Sequence, residues 1–207
     1  MPYSIEEMKA DLTNLDDRQF YLKHIVRSDN WYFENVLGCP KEDLTRISDD
    51  FRMIVSDSLG VDFGNIMLVG SGKSGFSLSP TDKLFSPFSK DGSDRKDGKA
   101  SDLDVAVIST ELFHKYWHLF RTFYASKYNW WYKNYIYNGI YRGYINEKWI
   151  NAVDGCRKEW EEISAASKNK LTNKLFIQNE VTYRIYRSWS DFEEYHLKSI
   201  KDIKKMM

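Results

Sequence analysis

The stretch whose reading decides the fold is MLVGSGKSG, residues 67–75. At first sight it is a phosphate-binding P-loop, which requires Gly, four free residues and then Gly-Lys-Ser/Thr. Counting back from Gly72-Lys73-Ser74 puts Met67 where the first glycine should be. That glycine makes the tight turn out of the strand, so the match fails where the geometry is most demanding. A P-loop ATPase or kinase also needs a helix starting at Lys73. Gly75 and the Ser/Pro-rich segment after it oppose one. What remains is a short apolar strand, NIMLV at 65–69, that runs into a Gly70-Ser71 turn.

The next informative stretch is SDLDVAVIS, residues 101–109. Strand side chains alternate, so Asp102 and Asp104 share one face while Leu103, Val105 and Val107 take the other. Two carboxylates on one strand face stand about 6–7 Å apart along the chain. That spacing suits hard divalent cations, which sit about 4 Å apart in two-metal phosphoryl-transfer sites. A Gly-Ser turn beside them offers backbone N–H groups and a hydroxyl to a triphosphate, and Lys73 adds charge.

Around these two strands the chain reads as mostly helical. Residues 4 to about 37 carry apolar positions Leu12, Leu15, Phe20, Ile25 and Val26 among many charges. After Pro40, the residues Leu44, Ile47, Phe51, Ile54, Val55 and Leu59 recur at spacings of three and four, one face of a helix that Gly60 stops. Residues 77–100, with two prolines and two glycines, read as a long surface loop. Its charges nearly cancel: Lys83, Lys90, Arg95, Lys96 and Lys99 against Asp82, Asp91, Asp94 and Asp97. Thr110 opens an aromatic-rich helical region (about 110–168) that ends in a polar helix over roughly 147–168. NEVTYRIYRS, about 179–188, is a further strand, and the chain closes as a helix.

Composition narrows the class. A chain of 207 residues with 42% hydrophobic and 16% aromatic residues builds one core, a single domain over 1–207. Zero net charge argues against a broad electrostatic grip on nucleic acid. Cys39 and Cys156 have no metal-ligand spacing and form no disulfide framework, and the four histidines form no metal motif. The polar, acidic N-terminus is no signal peptide, and no apolar run reaches membrane-spanning length, so the expected location is cytoplasmic with no membrane partner.

The order of strand, Gly-Ser, loop and a second strand carrying Asp-x-Asp resembles the polymerase β-type nucleotidyltransferase superfamily. The matching segments are Leu68-Val69-Gly70-Ser71 and Asp102-Leu103-Asp104-Val105, within roughly residues 41–110. The resemblance implies an α+β fold, a palm-like short mixed sheet flanked by helices with helical N- and C-terminal extensions. It implies that Asp102 and Asp104 bind Mg²⁺ (or Mn²⁺), and that Gly70, Ser71 and Lys73 hold the phosphates of an NTP. A nucleoside monophosphate then passes to an acceptor hydroxyl on a small molecule, an oligonucleotide or a protein, as in phage defence or nucleotide signalling. The chain departs from the pattern twice. Thirty residues, 72–101, separate Ser71 from Asp102, which makes 77–100 an insertion at the cleft mouth, a lid or acceptor-recognition loop. The later strand VTYRIYR also has no internal acid, leaving Glu180 as the nearest third carboxylate and Asp154 as a second candidate on a helix. Without one, the chain reads as a catalytically silent binding module, an antitoxin or partner subunit. Arg184 and Arg187 fit either phosphate contact or cross-strand packing. The aromatics of 116–144 are expected mainly in the core, with some left for an oligomer or partner contact. The lysines near the C-terminus read as a solvated helix end.

Overall fold

The computed structural model describes residues 3–81, 83–95, 98–123, 133–153 and 155–207. Asp154, the loop charges Asp82, Lys96 and Asp97, and the aromatic stretch 124–132 lie outside the described residues.

The N-terminal run is not one helix. Ser4 and Glu7 form a capping box that starts α1 (Ile5–Asn14). A second capping box, Asp16 with Gln19, stops it and starts α2 (Asp17–Phe20). The chain continues as a π-helical segment (Tyr21–Val26) and, after a break, α3 (Trp31–Asn35). Periodicity alone overlooks this, because both capping residues are polar positions that a continuous amphipathic helix also tolerates. Helix α4 (Leu44–Leu59) follows a 3₁₀ turn after Pro40, and Gly60 ends it in the left-handed conformation. Then come β1 (Ile66–Val69), a single turn α5 (Ser71–Ser74), β2 (Leu103–Ile108) and α6 (Thr110–Thr122). The remaining elements are α7 (Lys133–Tyr141), β3 (Tyr144–Asn146), α8 (Glu147–Ala152), α9 (Arg157–Leu175), β4 (Val181–Tyr186) and α10 (Trp189–Met206). The polar helix expected over 147–168 is therefore two helices. Gly155, at φ +86°, lies in the break between them, and any side chain there would strike the Phe123 ring.

The strands form one mixed sheet in the order β1-β2-β4-β3. β1 and β2 are antiparallel, β2 and β4 parallel, β3 and β4 antiparallel. The expected α+β class with a short mixed sheet is observed, and alternation gives the sheet two unlike faces. One carries Ile66, Leu68, Leu103, Val105, Val107, Val181, Tyr183 and Ile185, each at most 2% exposed, under Phe51 and Val55 of α4, Tyr116 of α6 and Trp160 and Leu171 of α9. The other is wholly apolar at one end only. There Ala106, Ile108 and Tyr186 pack on Met8, Leu12, Phe20, Phe192 and Ile200, and Val69 reaches the same cluster from beside Asp104. Its opposite end carries Asp102 and Asp104.

Two expectations change. The 77–100 segment is not a free surface loop: Phe76 bridges Pro87, and Phe88 is buried against Trp31 and Tyr32. Lys204 is not a solvated terminal charge, because its ammonium donates to the Leu15 carbonyl at 2.7 Å and pairs with Asp17 at 2.9 Å, tying α10 to the N-terminal helices. The aromatics split between core and surface as expected: Phe113, Tyr116 and Phe120 of α6 enter the core, whereas Trp117 of α6 and Tyr135, Tyr137 and Tyr141 of α7 are exposed. Cys156 is a buried packing residue and Cys39 is half-buried, both as free thiols.

Candidate active site

The end of β1 places Val69 directly opposite Asp104 in the antiparallel register. The next residue, Gly70, adopts φ 67° and ψ −152°, a region closed to residues with a side chain. A Cβ there would stand 2.5 Å from Asp104 Oδ2. Glycine therefore lets the backbone of the turn lie against the carboxylate. The single helical turn that follows closes on itself. Lys73 N and Ser74 N donate to the Gly70 carbonyl, Ser74 Oγ donates to Phe76 O at 2.6 Å, and Gly75 at φ +87° ends the turn against the Trp31 ring. Ser74 is thus a turn residue, as expected.

Asp102 and Asp104 are both half-buried on the same side of β2. The Thr182 hydroxyl lies 3.3 Å from Asp102 Oδ2 and 3.4 Å from Asp104 Oδ1, one donor facing two acceptors. Burial pushes the Asp104 carboxyl up to about 6, and the Asp102 charge adds to this. Arg184, Thr182 and Lys148 oppose the shift without cancelling it. A pair of acids crowded and desolvated in this way is the donor set that a hard divalent cation relieves, so the residues present fit a bound Mg²⁺ or Mn²⁺. Asn179 holds the strand start in place: its Nδ2 donates to Ser101 O and Lys90 O, and its Oδ1 accepts from Tyr32.

These groups line an open cleft of about 290 Å³. Asp102, Asp104 and Arg184 belong to its floor, Gly70, Ser71 and Lys73 to the turn side, and Lys83 and Arg95 of the 77–100 segment to its rim. His24 from the π-helical segment and Tyr195 and His196 from α10 line it as well. A smaller cavity of about 160 Å³ shares the two aspartates and Arg184, and adds Asn146, Lys148, Asn151, Glu180 and Thr182. Lys73 is only 5% exposed, and burial lowers its ammonium pKa to about 8, with Asp29 opposing and Arg52 reinforcing the shift.

Five of the six expected site residues, Gly70, Ser71, Lys73, Asp102 and Asp104, thus meet in one cleft. Glu180 is exposed, and its position in the parallel register faces Asp102 from the next strand. It shares the smaller cavity with the pair, but the residue whose side chain faces both carboxylates within hydrogen-bond reach is Thr182. Arg187 leaves the site altogether and pairs bidentately with Asp191. Sequence reading missed Thr182, Asn179, His24 and His196. His24 is fully buried with Nε2 2.7 Å from Asp11, and burial drives His196 down to about 3. No local motif announces either histidine, since they reach the cleft from opposite ends of the chain. The exceptional signal is the π-helical segment itself, a geometry concentrated at functional sites. No family model, curated protein or solved structure matches the chain, so the chemistry is argued from this cleft alone.

Proposed function

We propose that the chain is a nucleotidyltransferase that moves a nucleoside monophosphate from an NTP to an acceptor hydroxyl. The observation that carries this reading is the close approach of the Gly70 turn to the Asp104 carboxylate, where only a residue without a Cβ fits, with Asp102 on the same strand face and both open to one cleft. The turn at Gly70-Ser71, with Lys73 behind it and Lys83 and Arg95 across the rim, is where a triphosphate finds donors and positive charge. Asp102 and Asp104 would hold Mg²⁺ or Mn²⁺, which lowers the pKa of an attacking hydroxyl and stabilises a leaving pyrophosphate. The new bond joins the acceptor oxygen to the α-phosphorus, the bond from that phosphorus to the β-bridging oxygen breaks, and the hydroxyl proton leaves to solvent.

Geometry also supports a direction of approach. The phosphate turn lies on the β1 side of the aspartates, and the smaller cavity lies on their β4 and β3 side. In-line displacement needs the attacking and leaving oxygens on opposite sides of the reacting phosphorus. The acceptor hydroxyl then enters over Thr182 and Asn146. A second reading, a silent binding module, has its own support in the exposed tyrosines of α7 and in the hydroxyl of Thr182 between the aspartates. One experiment separates the two: purified protein with each α-³²P-labelled NTP and Mg²⁺ or Mn²⁺, alone and with RNA or lysate, beside an Asp102→Ala/Asp104→Ala variant. Label entering a product only when both aspartates are intact supports transfer. Absence of transfer together with no nucleotide-dependent rise in melting temperature supports the binding module.

A further inference from the structure

We infer that Arg184 is a catalytic cation of this cleft, its guanidinium contacting the phosphoryl group that is transferred and stabilising the charge that develops on it. The inference rests on the nucleotidyl-transfer reading above.

Strand parity and register bring it there. On β4, Thr182 stands opposite Asp104 and Arg184 opposite Ala106, all on the face that carries the aspartates. Arg184 lines both the cleft and the smaller cavity, as do Asp102 and Asp104. It therefore stands at the junction where donor and acceptor must meet.

Its guanidinium is fixed in place. It lies 4.8 Å from the Tyr195 ring centre and 5.6 Å from that of Tyr144, and Nη1 donates to the Tyr195 hydroxyl at 2.5 Å. A guanidinium has five donors, and Nε is buried with no hydrogen bond of good geometry, its neighbour being the Tyr186 hydroxyl, which is likewise without one. The arginine remains charged despite burial. Among the described residues it forms no ion pair with a carboxylate within 4.0 Å. The fold pairs other partly buried cations with acids: Lys168 with Glu147 and Lys204 with Asp17. A desolvated cation with no acid in direct contact, and only the longer-range field of Asp104, is costly unless something completes the counter-charge. A phosphoryl group over the aspartates supplies it.

The chemistry calls for such a group. Phosphoryl transfer spreads negative charge over the non-bridging oxygens, and a planar guanidinium meets two of them at once. The tyrosines hold it ready before the substrate arrives, so little reorganisation is needed at the moment of reaction. The competing role, a purely structural counter-charge for Asp104, predicts lost stability and intact turnover.

The test compares wild type with Arg184→Met, Arg184→Lys and Tyr195→Phe, using the NTP and metal that wild type transfers, with kcat, KM and melting temperature read in parallel. Arg184→Met is expected to lower kcat by about 10²–10³-fold, as for loss of one preorganised donor, with KM for the NTP little changed. Millimolar guanidinium chloride should restore part of that loss. Arg184→Lys should recover little, because an ammonium is a point charge. Tyr195→Phe keeps the ring and should cost about tenfold or less, for a single neutral hydrogen bond. A wild-type-like kcat in Arg184→Met overturns the inference, and so does a loss that follows the melting temperature and ignores guanidinium. Should Arg184→Met fail to fold, Arg184→Lys decides in the same way. If wild type shows no aspartate-dependent transfer, the underlying reading has failed first, before any arginine variant is made.

Discussion

The two faces of the sheet are built from alternate residues of the same strands and follow opposite rules. On one, Leu103, Val105, Val107, Tyr183 and Ile185 are closed off from water, and the polar atoms among them are satisfied: Tyr183 donates its hydroxyl to Ser167 and its backbone N–H to Glu147. On the other, Asp102, Asp104 and Arg184 gather partly buried charge, and the attraction of Arg184 offsets the raised Asp104 carboxyl only in part. The period of two in β2 and β4 lets a single strand serve both purposes. It confines the unfavourable electrostatics to the end of the sheet that opens into the cleft, while the apolar face supplies the stability that tolerates them. A substitution on one face should therefore lose function with the fold intact, and on the other lose the fold.

The largest effect expected is on the cleft face. Asp102→Asn with Asp104→Asn should lower transfer by at least about a thousandfold, since it removes the carboxylates proposed to hold the metal. The melting temperature, read by calorimetry, should stay level or rise, because the substitution removes buried like charges. A fall in melting temperature would erase the distinction between the faces.

The matching experiment on the apolar face is Leu103→Ala, one residue away. Leu103 is fully buried, so its truncation should cost about 2–5 kcal/mol in denaturant unfolding. Leu103 also supports the turn at 71–74, since a Cβ on Gly72 would stand 2.6 Å from Leu103 Cδ2. A cost below about 1 kcal/mol, the range of exposed or readily repacked positions, would mean that this face is not the core it looks to be.

Gly70→Ala tests the seam where the faces meet. The new methyl group would collide with Asp104 Oδ2 and force the backbone out of a glycine-only conformation. The expected cost is about 1–3 kcal/mol of stability, with loss of transfer. Near-normal activity would show that the turn does not need its contact with the carboxylate.

How much of this was legible in the sequence follows the same division. The Gly-Ser turn and the Asp-x-Asp strand were readable because turn chemistry and alternation are local, and α4 was readable because its apolar residues recur over four turns. Strand β3 was not, since three residues are too few to show a period. The break between α1 and α2 depends on the Asp16 side chain taking a capping role that its identity permits but does not compel. Arg184 and Arg187 look equivalent in VTYRIYR, and only register and the proximity of Asp191 send one into the cleft and the other into an ion pair. Phe88 reads as a loop residue because its partners, Trp31 and Tyr32, lie more than fifty positions away.

A pH series sharpens the comparison further. The Asp104 pKa is raised from 3.8 to about 6 in the fold, so the native state holds that proton more tightly than the unfolded chain. The contribution to stability is fully present below about pH 4 and is lost as pH rises toward 6. It amounts to about 1–3 kcal/mol once partial exposure of the carboxyl is allowed for. Metal-free wild type should show this added decline across pH 4–6, and Asp104→Asn should lack it. Equal slopes in the two proteins would mean that the carboxylate is better solvated than its surroundings suggest.

The smallest effect expected lies where the apolar face is imperfect. Helix α9, which buries Leu171 and Leu175 against the core, ends at Phe176 in the left-handed conformation, φ 57° and ψ 26°. Glycine is the residue that adopts this C-cap without a steric penalty, and a side chain there costs about 1 kcal/mol. The Phe176 ring is 75% exposed, so it recovers little of that cost by burial. The hydrogen bonds that close the helix end, from Phe176 N to Thr172 O and from Thr172 Oγ1 to Ile177 O, do not involve the ring. Phe176→Gly should therefore raise stability by about 0.5–1 kcal/mol, less the entropy that glycine adds to the unfolded chain. Transfer should be unchanged, because the strain lies outside the cleft. If stability rises and transfer falls, the exposed ring contacts an acceptor near Glu180, and the strained cap belongs with the functional face after all.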